Sequence, residues 1–160
     1  KENIHQHLDL IAGLPWEDYE SFRRSFDYVY KMRPDQLQLG FLKVLKGSAM
    51  EKEAKEYGMI FKTREPYEIL STKWLSYEEI LKLKMVESMV EVYYNSGQFQ
   101  HTLNWIMRFY EDAFSFFESL GKFYEKKGYG EISHSRIRRY EILLEFLREE
   151  TEISEAEASH

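Results

Sequence analysis

Hydrophobic and polar positions change their period several times along this chain, and each change marks an element. From residue 5 to residue 12 they alternate: His5, His7, Asp9 and Ile11 fall on one face, and Ile4, Leu8, Leu10 and Ala12 on the other. That two-residue period predicts a strand with one polar and one apolar side. Gly13-Leu14-Pro15 breaks it; Gly13 permits close backbone approach and Pro15 suits the first turn of a helix. Glu17, Asp18 and Glu20 then favour the positive end of that helix, and Tyr19, Phe22, Phe26 and Val29 recur at spacings of three and four. These features predict an amphipathic helix over residues 16–32. Pro34 stops it, and a second strand follows over 36–44. Strand, helix and strand together predict a right-handed βαβ unit with parallel strands.

Ser48-Ala49-Met50-Glu51 has the form of a capping box opening a second helix, which Gly58 ends. Residues 59–63 and 67–72 read as extended on either side of Glu65-Pro66, forming either a small hairpin or an ordered linker. From Ser76 onward the period is helical. Ser76-Tyr77-Glu78-Glu79 is another capping box, and Ile80, Leu83, Val86, Val90 and Tyr93 form a buried stripe that stops at Asn95-Ser96-Gly97. Leu103, Ile106, Tyr110, Ala113, Phe117, Leu120 and Tyr124 continue the spacing to Gly128. Residues 100–127 are therefore one helix, or two with a new start near Glu111-Asp112. Ser133 or Ser135 caps a last helix with Ile137, Tyr140, Leu144 and Leu147 as its stripe. Residues 151–160 are acidic and poor in large apolar side chains, the composition of a frayed tail.

Composition narrows the function classes. At 160 residues the chain can bury one sizeable core and does not require two domains. It begins at Lys1 without Met, inside a strand approach, and so reads as a piece of a longer protein. It has no apolar run of transmembrane length and no signal peptide, so a soluble, cytoplasmic protein without a membrane partner is expected. The sequence contains 0 Cys, so it offers no disulfide and no thiolate ligand for zinc or iron. A formal charge of −6 argues against a nucleic-acid footprint. Aromatic residues at 16% suit a well-filled helical core, or a surface that meets another domain.

Candidate chemistry is concentrated at the first strand. Asp9 places a carboxylate near the end of its polar face, suited to accepting hydrogen bonds from a ligand; as a structural residue it would cap the loop or the helix start. His5 and His7 share that face at a spacing compatible with metal binding. No third ligand lies nearby in sequence, so partly exposed histidines are the better reading and no metal site is assigned. His101 and His134 read as exposed or capping. Glu111-Asp112 and Glu149-Glu150 read as solvated helix faces, and Trp74 and Trp105 as core. No catalytic residue is assigned within the chain.

The string Asp9-Leu10-Ile11-Ala12-Gly13-Leu14-Pro15, with Trp16 where Gly is usual and then Glu17, resembles the late barrel strand of radical S-adenosylmethionine (SAM) enzymes. Residues 33–48 resemble the next barrel strand and its turn, although Lys46, Ser48 and Ala49 depart from the usual turn. Residues 67–80 and 93–99 resemble the helical domain appended to cobalamin-binding radical SAM proteins, which are often labelled as like the anaerobic magnesium-protoporphyrin monomethyl ester cyclase.

The resemblance implies that Asp9, Ile11, Gly13 and Leu42 lie beside SAM: Asp9 on its ribose or amino group, Ile11 and Gly13 under the adenine, and Leu42 as a further apolar wall. It also implies a whole protein that uses SAM, a 4Fe-4S cluster held by an upstream three-Cys motif and, in this subset, cobalamin. This cysteine-free piece would be inactive alone, with the upstream radical SAM and cobalamin-binding domains as its partners. The expected fold class is α+β, mainly α: a βαβ remnant of a (β/α) partial barrel followed by a helical C-terminal domain. Its expected divisions are 1–47 for the barrel strands and helix, 48–75 for a connecting segment, 76–150 for the helical accessory domain and 151–160 for the tail. Two barrel strands cut from their neighbours are also expected to favour self-association of the isolated piece. The competing reading is a non-enzymatic helical interaction module whose aromatic surface meets a partner.

Overall fold

The alternating segment becomes strand β1, His7–Ala12, in the computed structural model, which describes residues 5–45 and 47–150, with Glu131 by its backbone alone. Ile4, Lys46 and the expected tail at 151–160 lie outside the described residues. β1 pairs in parallel with β2, Gln36–Phe41, in a register that sets Asp9 opposite Gln38 and Ile11 opposite Gly40. Between them runs helix α1, Tyr19–Lys31, as the strand–helix–strand pattern requires. The helix starts later than the apolar period suggests. Asp18 is its N-cap, accepting the Ser21 N–H at 2.9 Å, so Pro15 and Trp16 belong to the preceding turn.

The Ser48 capping box forms only in part. Helix α2, Ala49–Glu53, follows Ser48, but Glu51 accepts the N–H of Gly47 at 2.8 Å while the Ser48 hydroxyl caps nothing. The helix also ends short of Gly58. The open choice over residues 59–72 resolves as a small antiparallel hairpin of β3, Ile60–Phe61, and β4, Ile69–Ser71.

Ser76 caps helix α3, Tyr77–Met89, with both bonds of the expected box in place: Glu79 N–H to Ser76 Oγ at 3.1 Å and Ser76 N–H to Glu79 Oε1 at 3.0 Å. The expected stripe Ile80, Leu83, Val86, Val90 and Tyr93 is buried. Its last part winds differently, since Val90–Asn95 is a π-helical segment. Residues 100–127 divide in two: α4, Gln100–Met107, and α5, Ala113–Lys127, whose N-cap Asp112 accepts the Ser115 N–H at 2.7 Å. Gly128, at φ +73°, closes α5. Helix α6, Arg136–Glu150, completes the described chain, with Ser135 Oγ accepting the Arg138 N–H at 3.1 Å. With 53% helix and 13% strand the fold is α+β, mainly α.

The stripe expected on α6 is not the one it buries. Ile142, Leu143, Phe146 and Leu147 face inward, whereas Ile137, Tyr140 and Leu144 are exposed. The helix carries apolar residues on two flanks, and ring packing decides between them: Phe146 lies against Phe116 and Phe123, with centroids 6.0 and 5.5 Å apart. The acidic pairs also do more than face solvent. Asp112 lies 3.1 Å from Arg23 of α1, and Glu149 and Glu150 pair with Lys127 and Lys126 at 3.0 and 2.6 Å.

One continuous core joins the sheet to the helices. Leu37, Leu39 and Phe41 of β2 share it with Phe22 and Phe26 of α1, Val86 and Val90, and the α5 aromatics. Polar ties fix α1 against the start of α5. Tyr19 donates to Glu118 at 2.6 Å, and Asp27 accepts the Phe114 N–H at 2.9 Å.

Candidate functional site

Helices cover only one side of the β1–β2 pair. Leu8, Leu10 and Ala12, with Leu37, Leu39 and Phe41, turn toward them. The alternation that buries these residues puts His7, Asp9 and Ile11, beside Gln36, Gln38 and Gly40, on the other face, where His7, Asp9, Ile11 and Gln38 are exposed. Asp9 stands at mid-strand opposite Gln38, and among the described residues no hydrogen bond or ion pair engages its carboxylate. Ile11, 39% exposed, leans across to β2: a Cβ at Gly40 would stand 3.1 Å from Ile11 Cδ1, so glycine there makes room for it.

Gly13 follows β1 at φ +101°, a backbone state that side chains disfavour. A Cβ there would meet Ile69 Cγ2 at 3.1 Å and Leu42 Cβ at 3.3 Å. Gly13 and Leu42 therefore meet each other and β4 at the carboxyl ends of the strands. Leu42 is tied on both sides, its N–H donating to Ala12 O at 2.9 Å and its carbonyl accepting from Ile69 N–H at 2.8 Å. Of the four expected ligand residues, Asp9 and Ile11 lie on the open face, while Gly13 and Leu42 form a packed joint at its upper end.

The two histidines are not assembled into a metal site. His5 lies 3.6 Å from Asp35 and is largely exposed, and among the described residues no group of three or more His, Asp or Glu side chains could hold a metal ion. His134 is half-buried, with Nε2 2.8 Å from the Tyr129 carbonyl. Trp16 adopts a left-handed backbone, φ +69°, and is 74% exposed. Its ring lies 4.8 Å from that of Trp74 and 6.4 Å from that of Tyr57. With Ile11 and Leu14 nearby in sequence and also exposed, the carboxyl end of β1 carries accessible apolar surface.

Sequence reasoning missed two features. Gln36 and Gln38 extend the polar face onto β2, and the Gln-Leu-Gln-Leu alternation carried that signal. Asn95 ties the helices to the outer edge of β2: its Oδ1 accepts the Leu37 N–H at 2.9 Å and its Nδ2 donates to the Leu37 carbonyl at 2.9 Å. The Nδ2 also donates to Glu91 at 3.0 Å, and the Asn95 carbonyl accepts from Gln36 Nε2 at 2.9 Å. One side chain thus imitates the backbone of a neighbouring strand. A polar residue at the end of an apolar stripe gave no sign of this, because the π turn that aims it has no sequence signature of its own.

Among the described residues, no helix is long and apolar enough to cross a membrane. Residues 55–159 match the family described as "Protein of unknown function (DUF4080)". The chain is also similar to a probable threonylcarbamoyladenosine tRNA methylthiotransferase of Pyrococcus abyssi (strain GE5 / Orsay), at 30% identity over 90 residues, which are 56% of this chain and 21% of that protein. The chain spans about a fifth of the length of that curated relative.

Proposed function

We propose that this chain, which belongs to the DUF4080 family of proteins of unknown function, is the C-terminal portion of a radical SAM enzyme. In this reading β1, α1 and β2 are the last barrel strands and their helix, and the helices from α3 onward are an accessory domain that seals the outer edge of β2. The observation that carries it is the parallel β1–β2 pair, clothed by helices on one face and open on the other along His7, Asp9, Ile11 and Gln38. A similar face in a closed barrel points toward the ligand. At the coarse level the chain is related to radical SAM enzymes through its similarity to a tRNA methylthiotransferase. Membership of the cobalamin-binding subset, and kinship with proteins labelled magnesium-protoporphyrin cyclase, rest on the sequence resemblance alone. The same holds for the division into barrel strands at 1–47, a connector at 48–75, an accessory domain at 76–150 and a tail at 151–160.

Asp9 and Ile11 suit SAM: a carboxylate with no partner among the described residues accepts hydrogen bonds from ribose or amine, and the adjacent aliphatic surface receives the adenine. Gly13 and Leu42 hold the strand ends together beneath that surface. SAM, with a cluster whose thiolate ligands come from outside this cysteine-free sequence, supplies the radical chemistry; the residues of this chain bind and orient. The alternative, a helical interaction module, is favoured by the exposed stripe Ile137, Tyr140 and Leu144 on α6.

Calorimetric titration of the whole protein with SAM tests the reading. Asp9→Ala is expected to weaken binding by about 1–3 kcal/mol with cluster content unchanged. Equal affinities return Asp9 to a structural role. Failure of the whole protein to bind SAM overturns the enzyme reading in favour of the interaction module.

A further inference from the structure

The outer edge of β2 leads to a second site. Gln36 N–H and Leu42 N–H donate toward β1, to Gln6 O at 3.1 Å and Ala12 O at 2.9 Å. The intervening odd-numbered residues therefore turn their N–H and C=O groups the other way. Asn95 satisfies Leu37; the next such residue, Leu39, has no backbone partner on that edge among the described residues. Leu39 lines a cleft of about 650 Å³, within the size range of small-molecule sites. Its other walls come from α3, the π segment and residues 129–139.

Arg139 and His134 lie on the 129–139 wall. Arg139 Nε is buried and bonds nothing, and among the described residues no carboxylate lies within ion-pair distance of its guanidinium. A buried cationic donor without an acceptor is costly, and the groups that fit its fork are oxyanions. His134 Nε2 donates to the Tyr129 carbonyl at 2.8 Å, which leaves Nδ1 without a printed role in the fold. Glu87 and Glu91 lie on the α3 and π-segment side. Glu91 already accepts from Asn95. Burial pushes the Glu87 carboxyl up, and the Glu68 and Glu91 charges add to this while Lys84 opposes it. That side suits a hydrogen-bond donor.

We propose that this cleft binds a small polar organic anion, a carboxylate or a phosphate ester, with its oxyanion on Arg139 and a hydroxyl or amino group toward Glu87. The site is independent of the SAM reading, because Arg139, His134, Glu87 and Glu91 all lie within the family's own matched residues.

Two-dimensional NMR of the 160-residue chain, titrated separately with inorganic phosphate and with acetate, tests it. Saturable shifts are expected at the Arg139 Nε–H, at His134 and at the Leu39 amide. Tighter binding of phosphate identifies a phosphate ester as the ligand, and tighter binding of acetate identifies a carboxylate. Arg139→Gln should weaken the better ion by about tenfold or more. Arg139→Lys, which keeps the charge but loses the Nε–H, should fall between, and Arg136→Gln, at an exposed cation on the same helix, should change nothing. Native-like amide spectra establish that each variant is folded; the Tyr93 bond to the Arg139 carbonyl at 3.0 Å is kept in all of them. Shifts that do not saturate, or that persist unchanged in Arg139→Gln, overturn the proposal, as does the absence of shifts with either ion.

Discussion

Replacing Asn95 by Ala measures how much of the fold's stability lies in one edge cap. The substitution removes the acceptor of the Leu37 N–H and the donor to the Leu37 carbonyl, both at 2.9 Å, and the donor to Glu91 at 3.0 Å. Leu37 is fully buried and Asn95 nearly so, at 0% and 8% exposure. Two backbone groups stranded in such a place cost about 1–3 kcal/mol each. Leu37 borders the cleft, so water reaches part of the vacated space and the low half of that range applies. Glu91, already near solvent, adds little. The expected loss is about 2–4 kcal/mol, which for a chain of this size lowers the melting temperature by roughly 5–15 °C.

Urea unfolding gives the free energy directly, and hydrogen exchange at the Leu37 amide shows whether the loss is local. Asn95→Asp separates the two bonds, since a carboxylate still accepts from Leu37 N–H but repels its carbonyl; it should be at least as destabilising as Asn95→Ala. A loss below about 1 kcal/mol for Asn95→Ala, with Leu37 protection unchanged, would refute the argument that this side chain replaces a strand.

Two further substitutions test the joints around the sheet. Burial raises the Asp112 carboxyl, but the hydrogen bonds from Ser115 and the Arg23 guanidinium outweigh it, so the group lies below its ordinary 3.8. Its stabilising contribution is therefore complete above the unfolded-state pKa and is lost as pH falls through the folded one. Asp112→Asn keeps the cap and loses the ion pair, so it should cost about 1 kcal/mol or less near neutral pH and flatten the acid loss below about pH 4. Urea midpoints across that range decide, and a wild-type acid slope in the variant contradicts it. Trp16→Gly removes both a left-handed backbone strain and a ring stack, each on the order of 1 kcal/mol, so stability should change by less than about 1 kcal/mol. The circular-dichroism signal of the Trp16–Trp74 pair should disappear, and a loss of about 2 kcal/mol or more would show that the turn is not strained.

Local chemistry was legible in the sequence wherever a residue acts on its own neighbours. Ser76 and Glu79 form the box that their spacing announces, and His7 to Ala12 alternate as a strand must. The break before α5 was readable as one of two options, because Asp112 can cap only if the chain turns there. Readings failed where two local solutions were equally good. The apolar residues of α6 offer two flanks, and only the rings of Phe116 and Phe123 choose the one with Phe146. At Ser48 a competing donor, the Gly47 N–H, took the Glu51 carboxylate. In the candidate site, Asp9 and Ile11 were visible from alternation, but the packing of Gly13 against Leu42 and Ile69 depends on β4, fifty-odd residues later, which no local pattern encodes.

The π-helical turn at Val90–Asn95 makes chain length, more than residue identity, the quantity this region must conserve. Val90 and Asn95 are five residues apart, one π turn, and both are buried. Each residue of an α-helix advances about 100° around the axis, so deleting one residue between them would restore ordinary winding while swinging every later side chain by roughly a quarter turn. The amide at position 95 would then face away from Leu37, although every residue type the edge needs would still be present. Side-chain exchanges among Val90, Val92 and Tyr94 can be repacked by their neighbours; a one-residue gap cannot. In this family the edge of the sheet is guarded by counting, and a single-codon deletion should be more damaging here than most substitutions along the same helix.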